Sequence, residues 1–476
     1  MYCRVSDGTC RVSSFTSRFS FTTVVTMLLA CLVCAIGVVA GVGGGGILVP
    51  MFAALLSLPM QSCVALSQST ICGQSTLNMY FAVQQTFASQ FPSAPSPATG
   101  VAGDGTDGSG LRKTKREWKR PLINYQYLSL MLPLGLIGTL VGGLISKVIS
   151  DLLRLFLLIV LLSLVLYRTV QKMRVQYRED TAHGQRATAT DVVVSADGEA
   201  PEGAGGTQNA AASPVSPATL SVPAATSTKL EDTVVEKVDQ PQYPVYELST
   251  NFGCFFVLLT FNILRSYATC SSFWYWMCVL IPLACLSGCF YYSRMRLERM
   301  ARATVDNLDV QDPSRPVNED SPLLMFAWNE YNNMYYPLVA VIAGAAAAML
   351  GIGGGLVLGF VLYEVGLSPS EASVTGGMAT FFIAFSAGLQ LLVTGSLIVD
   401  FGIVFYGVGL VSTAIGTYIF KVEIKKRGWN FLFLGALAFI VGGSLLVLGI
   451  YSTYNAVIVT KDGGSALAFG RLCANR

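Results

Sequence analysis

Runs of apolar residues as long as a bilayer is thick recur along this chain, and such a run leaves the backbone little choice. The hydrocarbon interior offers no hydrogen-bonding partner, so a spanning segment satisfies its own N–H and C=O groups by forming a helix. Segments near the roughly 20 residues that cross a membrane lie at 62–88, 122–147, 152–170, 251–268, 272–292, 371–395, 398–421 and 429–451. Two longer ones, 21–58 and 335–367, exceed one ordinary span at a rise of about 1.5 Å per residue. Of the 476 residues, 53% are hydrophobic and 12% charged, against about 25% charged in soluble domains. The expected fold is all-α: a polytopic, integral membrane protein of roughly 8–10 membrane segments, with the lipid bilayer as its first partner. A net charge of +3 is too small to point to nucleic acid.

Both long segments carry a glycine run, Gly41-Val42-Gly43-Gly44-Gly45-Gly46 and Gly351-Ile352-Gly353-Gly354-Gly355. Glycine weakens a helix by about 1 kcal/mol per residue against alanine, so each run predicts a broken helix. Each segment then reads as a span followed by a half-helix, or as a re-entrant hairpin. Broken backbone at membrane depth is tolerated where it lines a cavity or is enclosed by protein. Such breaks in corresponding places of two halves point to a transporter's binding site.

The two halves are legible as a duplication. A shift of 310 residues lays Gly41, Gly43, Gly44, Gly45, Leu48, Pro59, Val64 and Thr70 on Gly351, Gly353, Gly354, Gly355, Leu358, Pro369, Val374 and Thr380. A shift of 274 lays Gly135, Leu136, Thr139, Gly142, Ile145 and Lys147 on Gly409, Leu410, Thr413, Gly416, Ile419 and Lys421. The extra polar loop of the first half accounts for the difference between the shifts. Whether the halves run parallel or inverted depends on how often the glycine segments cross.

The organisation that follows is a polar N-terminal tail (1–20), a first membrane repeat (21–170, with a polar loop at 90–120) and a polar loop expected to be disordered (171–250). An extra pair of spans (251–292), a charged connector (293–334), a second membrane repeat (335–451) and a C-terminal tail (452–476) complete it. Residues 179–242 hold no Phe, Trp or Tyr, a composition that cannot offset ordering entropy. The basic runs at 112–120, 168–178 and 294–302 are separated by pairs of spans, which places them together on the cytoplasmic side. Nothing in the chain assigns it to the plasma membrane or to an organelle.

At the breaks, successive glycines can aim several N–H groups at one point and form an anion nest. A half-helix starting just after them adds its positive end. The candidate substrate-binding residues are therefore Gly43, Gly44 and Gly45 with Gly353, Gly354 and Gly355. From the helices that follow come Gln68, Ser69 and Thr70 in the first half, and Thr375 and Thr380 in the second. The competing readings are structural: glycines that allow close helix crossing, and hydroxyls and amides that bond between helices. Glu364 is the candidate for proton coupling; it and Asp400 stand near segment ends, where a solvated carboxylate is the simpler reading.

No catalytic constellation is present. The single histidine, His183, lies in the polar loop, so neither a His-based zinc site nor a Ser-His-Asp triad can be assembled. Twelve cysteines are scattered; Cys31 and Cys34 form a C-x-x-C without a second pair, and apolar packing is the preferred reading. No G-x-x-x-x-G-K-[ST] occurs, which argues against ATP hydrolysis by this chain. No cofactor and no metal are expected.

Gly-x-Gly-Gly-Gly, then Pro59 or Pro369 about a dozen residues on, then small and hydroxyl residues opening the next helix, resembles the sulfite exporter TauE/SafE family. The likeness covers both halves, and the hydrophilic insert with its extra pair of spans resembles the eukaryotic branch. The resemblance implies a multi-pass exporter or permease for sulfite, an organosulfonate or a related small anion. Other readings stay open: a channel or carrier for another anion or metabolite, or a scaffold or trafficking adaptor acting through the 179–242 loop. Self-association into a homo-oligomer is compatible with the sequence.

Overall fold

A computed structural model describes residues 2–4, 9–11, 21–39, 45–56, 58–90, 123–196, 245–269, 272–309, 326, 328–367, 369–421, 435, 438–439, 441–450 and 452–453. Apart from a two-stranded antiparallel ribbon, β1 (Tyr2–Arg4) and β2 (Thr9–Arg11), the regular elements are helices, as expected for an all-α membrane protein. The first half holds α1 (Phe21–Val39), α2 (Gly45–Leu56), α3 (Met60–Gln90), α4 (Tyr125–Ile145) and α5 (Asp151–Ala196). The added pair is α6 (Val245–Tyr267) and α7 (Phe273–Asp309). The second half holds α8 (Tyr336–Leu350, entered through the π-helical turn Tyr331–Tyr335), α9 (Gly355–Glu364), α10 (Pro369–Val393) and α11 (Val399–Ile415). A short apolar helix, α12 (Val441–Ile450), follows.

Eight of the described helices are long and apolar enough to cross a membrane: α1, α4, α5, α6, α7, α8, α10 and α11. The exception among the long helices is α3, whose 31 residues would reach across but are too polar. It buries Ser67, Gln68, Thr70, Gln74 and Ser75 between α10 and α11. Large apolar side chains such as Leu28, Phe156, Phe256, Trp274 and Ile403 point outward. That arrangement suits lipid, which solvates them as well as a core would.

Several helices outrun their apolar segments. The expected loop from residue 171 is helical as far as Ala196, and α7 continues to Asp309. Residues 171–183 contain no Gly or Pro and are rich in Gln, Arg, Lys and Glu, good helix formers whatever their hydropathy. Residues 1–177 and 246–476 form one compact unit and 178–245 another. Of the second, the structure describes residues 178–196, which are helical, and Val245. The membrane bundle and both glycine runs belong to the first.

Each half alone leaves its fourth helix unpartnered, and the fold resolves this by exchange: α4 packs on α8, and α11 packs on α1. The contact is reciprocal to the residue. A Cβ on Gly142 would lie 2.6 Å from Ala345 Cα, and one on Gly416 would lie 2.5 Å from Ala35 O. Gly142 and Gly416 are equivalent under the shift of 274, Ala35 and Ala345 under the shift of 310. Small residues are what lets helix backbones approach this closely in lipid. The two halves are thus related in structure as in sequence.

Candidate functional site

The second glycine run breaks its helix as predicted. α8 ends with Gly351 in the left-handed region (φ 74°), and Gly353 and Gly354 follow with φ of 70° and 74°. A residue with a Cβ resists that conformation. α9 then starts at Gly355 and runs only 10 residues, about 15 Å, half the thickness of a bilayer core. The segment is a helix long enough to span a membrane followed by a ten-residue helix.

The start of α2, the described end of the first glycine run, meets the second break. A Cβ on Gly45, which opens α2, would lie 2.8 Å from Ile352 O and 2.7 Å from Ile71 Cδ1. One on Gly353 would lie 2.7 Å from Ile71 Cγ2, and one on Gly351 would lie 2.9 Å from Val49 Cγ2. Ile71 of α3 is therefore the wedge on which both glycine segments close. Gly43 and Gly44 lie outside the described residues.

Breaking a helix orphans backbone groups at both new ends. On the α8 side Ser67 Oγ of α3 donates to Gly351 O at 2.7 Å, and Gln68 Nε2 adds a second bond to Ala347 O, which also accepts from Gly351 N–H at 3.0 Å. On the α9 side no side chain caps the helix, because the N-cap is Gly354. The N–H groups of its first turn have no acceptor within the helix, and residues 351–355 are buried. Gln68 Oε1 is also buried and without a hydrogen-bond partner. The start of α9 is thus buried, uncapped and the positive end of a helix, and Gln68 reaches the last turn of α8 that precedes it.

The remaining polar candidates are distributed more widely. Ser69 Oγ donates to Gly402 O of α11 at 2.7 Å. Thr70 and Thr380 donate to carbonyls of their own helices, Leu66 O at 3.0 Å and Gly376 O at 2.7 Å. Thr375 Oγ1 accepts from the N–H of Asn124, the cap of α4, at 3.1 Å. The structure brings Gln68 to the break and gives the other four hydroxyls bonds to protein backbone elsewhere. Glu364 ends α9 and is exposed, as is Asp400 in the first turn of α11. Among the described residues no three His, Cys, Asp or Glu side chains gather as a metal site would need.

Sequence reasoning passed over Ile71, which has no polar signature, and two buried arginines. Arg154 donates to Asp151 at 3.1 Å and to Ser146 O at 2.7 Å. Arg265, in the last turn of α6, is 4% exposed. An arginine inside an apolar segment was the available signal.

Over 444 residues the chain is 24% identical to sulfite exporter TauE/SafE family protein 3 of Arabidopsis thaliana, covering 92% of this chain and 80% of that relative. It is 22% identical over 184 residues to family protein 1 and 20% identical over 198 residues to family protein 5 of the same plant. Those two matches span 38% and 41% of the relatives' own lengths. No family model matches the chain, and no solved structure does. The resemblance carried by the glycine motif is borne out by relatives that share one family name.

Proposed function

We propose, for a chain that is a relative of the sulfite exporter TauE/SafE family, a secondary membrane transporter that moves a small sulfur-containing anion such as sulfite or an organosulfonate. The observation that carries the proposal is the meeting of the two glycine breaks on Ile71 beside the buried, uncapped start of α9. An oxyanion held there by Gly353, Gly354, Gly355 and the first turn of α9 is stabilised by N–H groups and by the helix dipole, without a lysine. The acceptor Gln68 Oε1 suits a protonated oxygen of the same anion. Gly43, Gly44 and Gly45 contribute from the other half.

Two half-related bundles hinged at this point can rock about a fixed site, which is alternating access. Ser69, Thr70, Thr375 and Thr380 line or steady the moving helices, and Glu364 is the carboxylate through which proton coupling runs. Uptake of labelled sulfite, sulfate, thiosulfate and taurine into vesicles carrying the purified protein tests the proposal. Saturable flux of one of these anions is expected, with loss of that flux in Gly353→Val recovered in monodisperse form. No flux of any of the four through a folded protein overturns it.

A further inference from the structure

Arg265 belongs to the helix pair that the duplication lacks, and its surroundings do not account for its charge. A guanidinium remains protonated in proteins, and a buried charge is ordinarily paired. Among the described residues no carboxylate lies within salt-bridge distance of Arg265. Its Nη2 donates to Gln390 Oε1 at 2.9 Å, with the Gln390 amide oriented so that its nitrogen donates to Thr139 O at 3.1 Å. The guanidinium carbon stands 5.8 Å from the centroid of the Tyr275 ring. Its Nη1 has no partner, nor has the buried hydroxyl of Tyr275, nor Oδ1 of Asn262 one turn earlier on α6.

Gln390 lies on the face of α10 that begins at the glycine break. Ile383, Ser386 and Gln390 follow one another at helical spacing on one face of α10. Ile383 Cγ2 would lie 3.1 Å from a Cβ on Gly354, and Ser386 Oγ is 3.1 Å from Thr139 Oγ1. From Ile383 to Gln390 is about 10 Å along the helix. Gly143 of α4 gives the Gln390 amide its room, since any Cβ there would overlap it.

We infer that Arg265 is the cation of a second oxyanion-binding site, two turns along α10 from the glycine break, with Nη1 and the Tyr275 hydroxyl as its open donors. The planar fork of a guanidinium matches the oxygens of a tetrahedral or pyramidal oxyanion, and the bound anion supplies the charge that the protein does not. The inference deepens the anion-transport reading and rests on it for the class of ligand: sulfite, sulfate or a sulfonate. The added pair α6–α7 then contributes a specificity-determining charge to the duplicated scaffold.

The test is anion binding to the purified full-length chain in nanodiscs, read as thermal stabilisation by sulfite, sulfate and methanesulfonate. Wild type is expected to be stabilised, and Arg265→Gln to bind at least about tenfold more weakly, as loss of a charged hydrogen bond implies. Arg265→Lys should recover part of the affinity. Should Arg265→Gln not fold, Tyr275→Phe and Gly143→Ala perturb the same site without removing the charge, and both should weaken binding. Unchanged affinity in these variants, or a wild type that binds none of the three, overturns the inference. A wild type that transports sulfite while Arg265→Gln keeps the same KM and affinity overturns this inference alone. Arg265-dependent binding without transport would retain it and remove the transport reading.

Discussion

α3 and α10 hold equivalent places in the two halves, and they do different work. α3 carries Ser67, which bonds to Gly351 O at the broken end of α8, and Gln68, which adds a bond to Ala347 O one turn earlier. The equivalent positions of α10 are Gly377 and Met378, which have no such group to offer the first half. Gly377 instead makes room for the side chain of Asn78. The reciprocal helix crossings at Gly142 with Ala345 and at Gly416 with Ala35 are kept in both halves. Steric requirements of close backbones survive in the two copies, whereas among the described residues the side-chain hydrogen bonds to the end of α8 come from α3.

The shared part of that comparison is the most sensitive to mutation. A Cβ on Gly344 would overlap Gly135 O across the α4–α8 crossing, so Gly344→Val should lose more than about 4 kcal/mol and yield no monodisperse protein. Recovery of a normally folded Gly344→Val would show that the halves are not locked there. Next in size is the asymmetry itself. Gln68→Leu removes the α3 donor from Ala347 O, which keeps its bond from Gly351 N–H, and should cost about 1–1.5 kcal/mol in thermal unfolding. Met378→Leu at the equivalent position, a volume-conserving exchange, should cost less than about 1.5 kcal/mol. Equal losses would mean that α3 has no special part in holding the break.

Ser69→Ala removes one bond between α3 and α11 and should cost about 1 kcal/mol. Thr70→Val and Thr380→Val remove bonds within a single helix and should cost about 0.5 kcal/mol each. A large loss of flux in either, at unchanged stability, would make that hydroxyl a substrate ligand. Smallest in stability is Glu364→Gln at the exposed end of α9. It should unfold at the wild-type temperature while flux loses its dependence on pH; a retained pH profile removes Glu364 from the mechanism.

Much of this was legible from local pattern. Apolar length announced the spans, and the glycine runs announced the break that positive φ at Gly351, Gly353 and Gly354 bears out. The polar stretch of α3 was visible too, but its partners were not. Gln68 bonds to a carbonyl 279 residues away and Ser69 to one 333 residues away, so neither partner leaves a mark on the sequence around it. Ile71 and Arg265 were missed for opposite reasons. An isoleucine among apolar neighbours is unremarked, and the sequence around the arginine does not show that no described carboxylate stands beside it.

By itself, then, the sequence determined the helices, their interruption, the duplication and the membrane setting, because each follows from propensity or hydropathy within a short window. Tertiary structure alone decided that the two breaks close on one side chain, that α3 completes α8, and that Arg265 is buried beside Gln390. Those outcomes depend on which distant surfaces come within bonding distance, and in an apolar interior every polar group placed there has to find its partner through the fold.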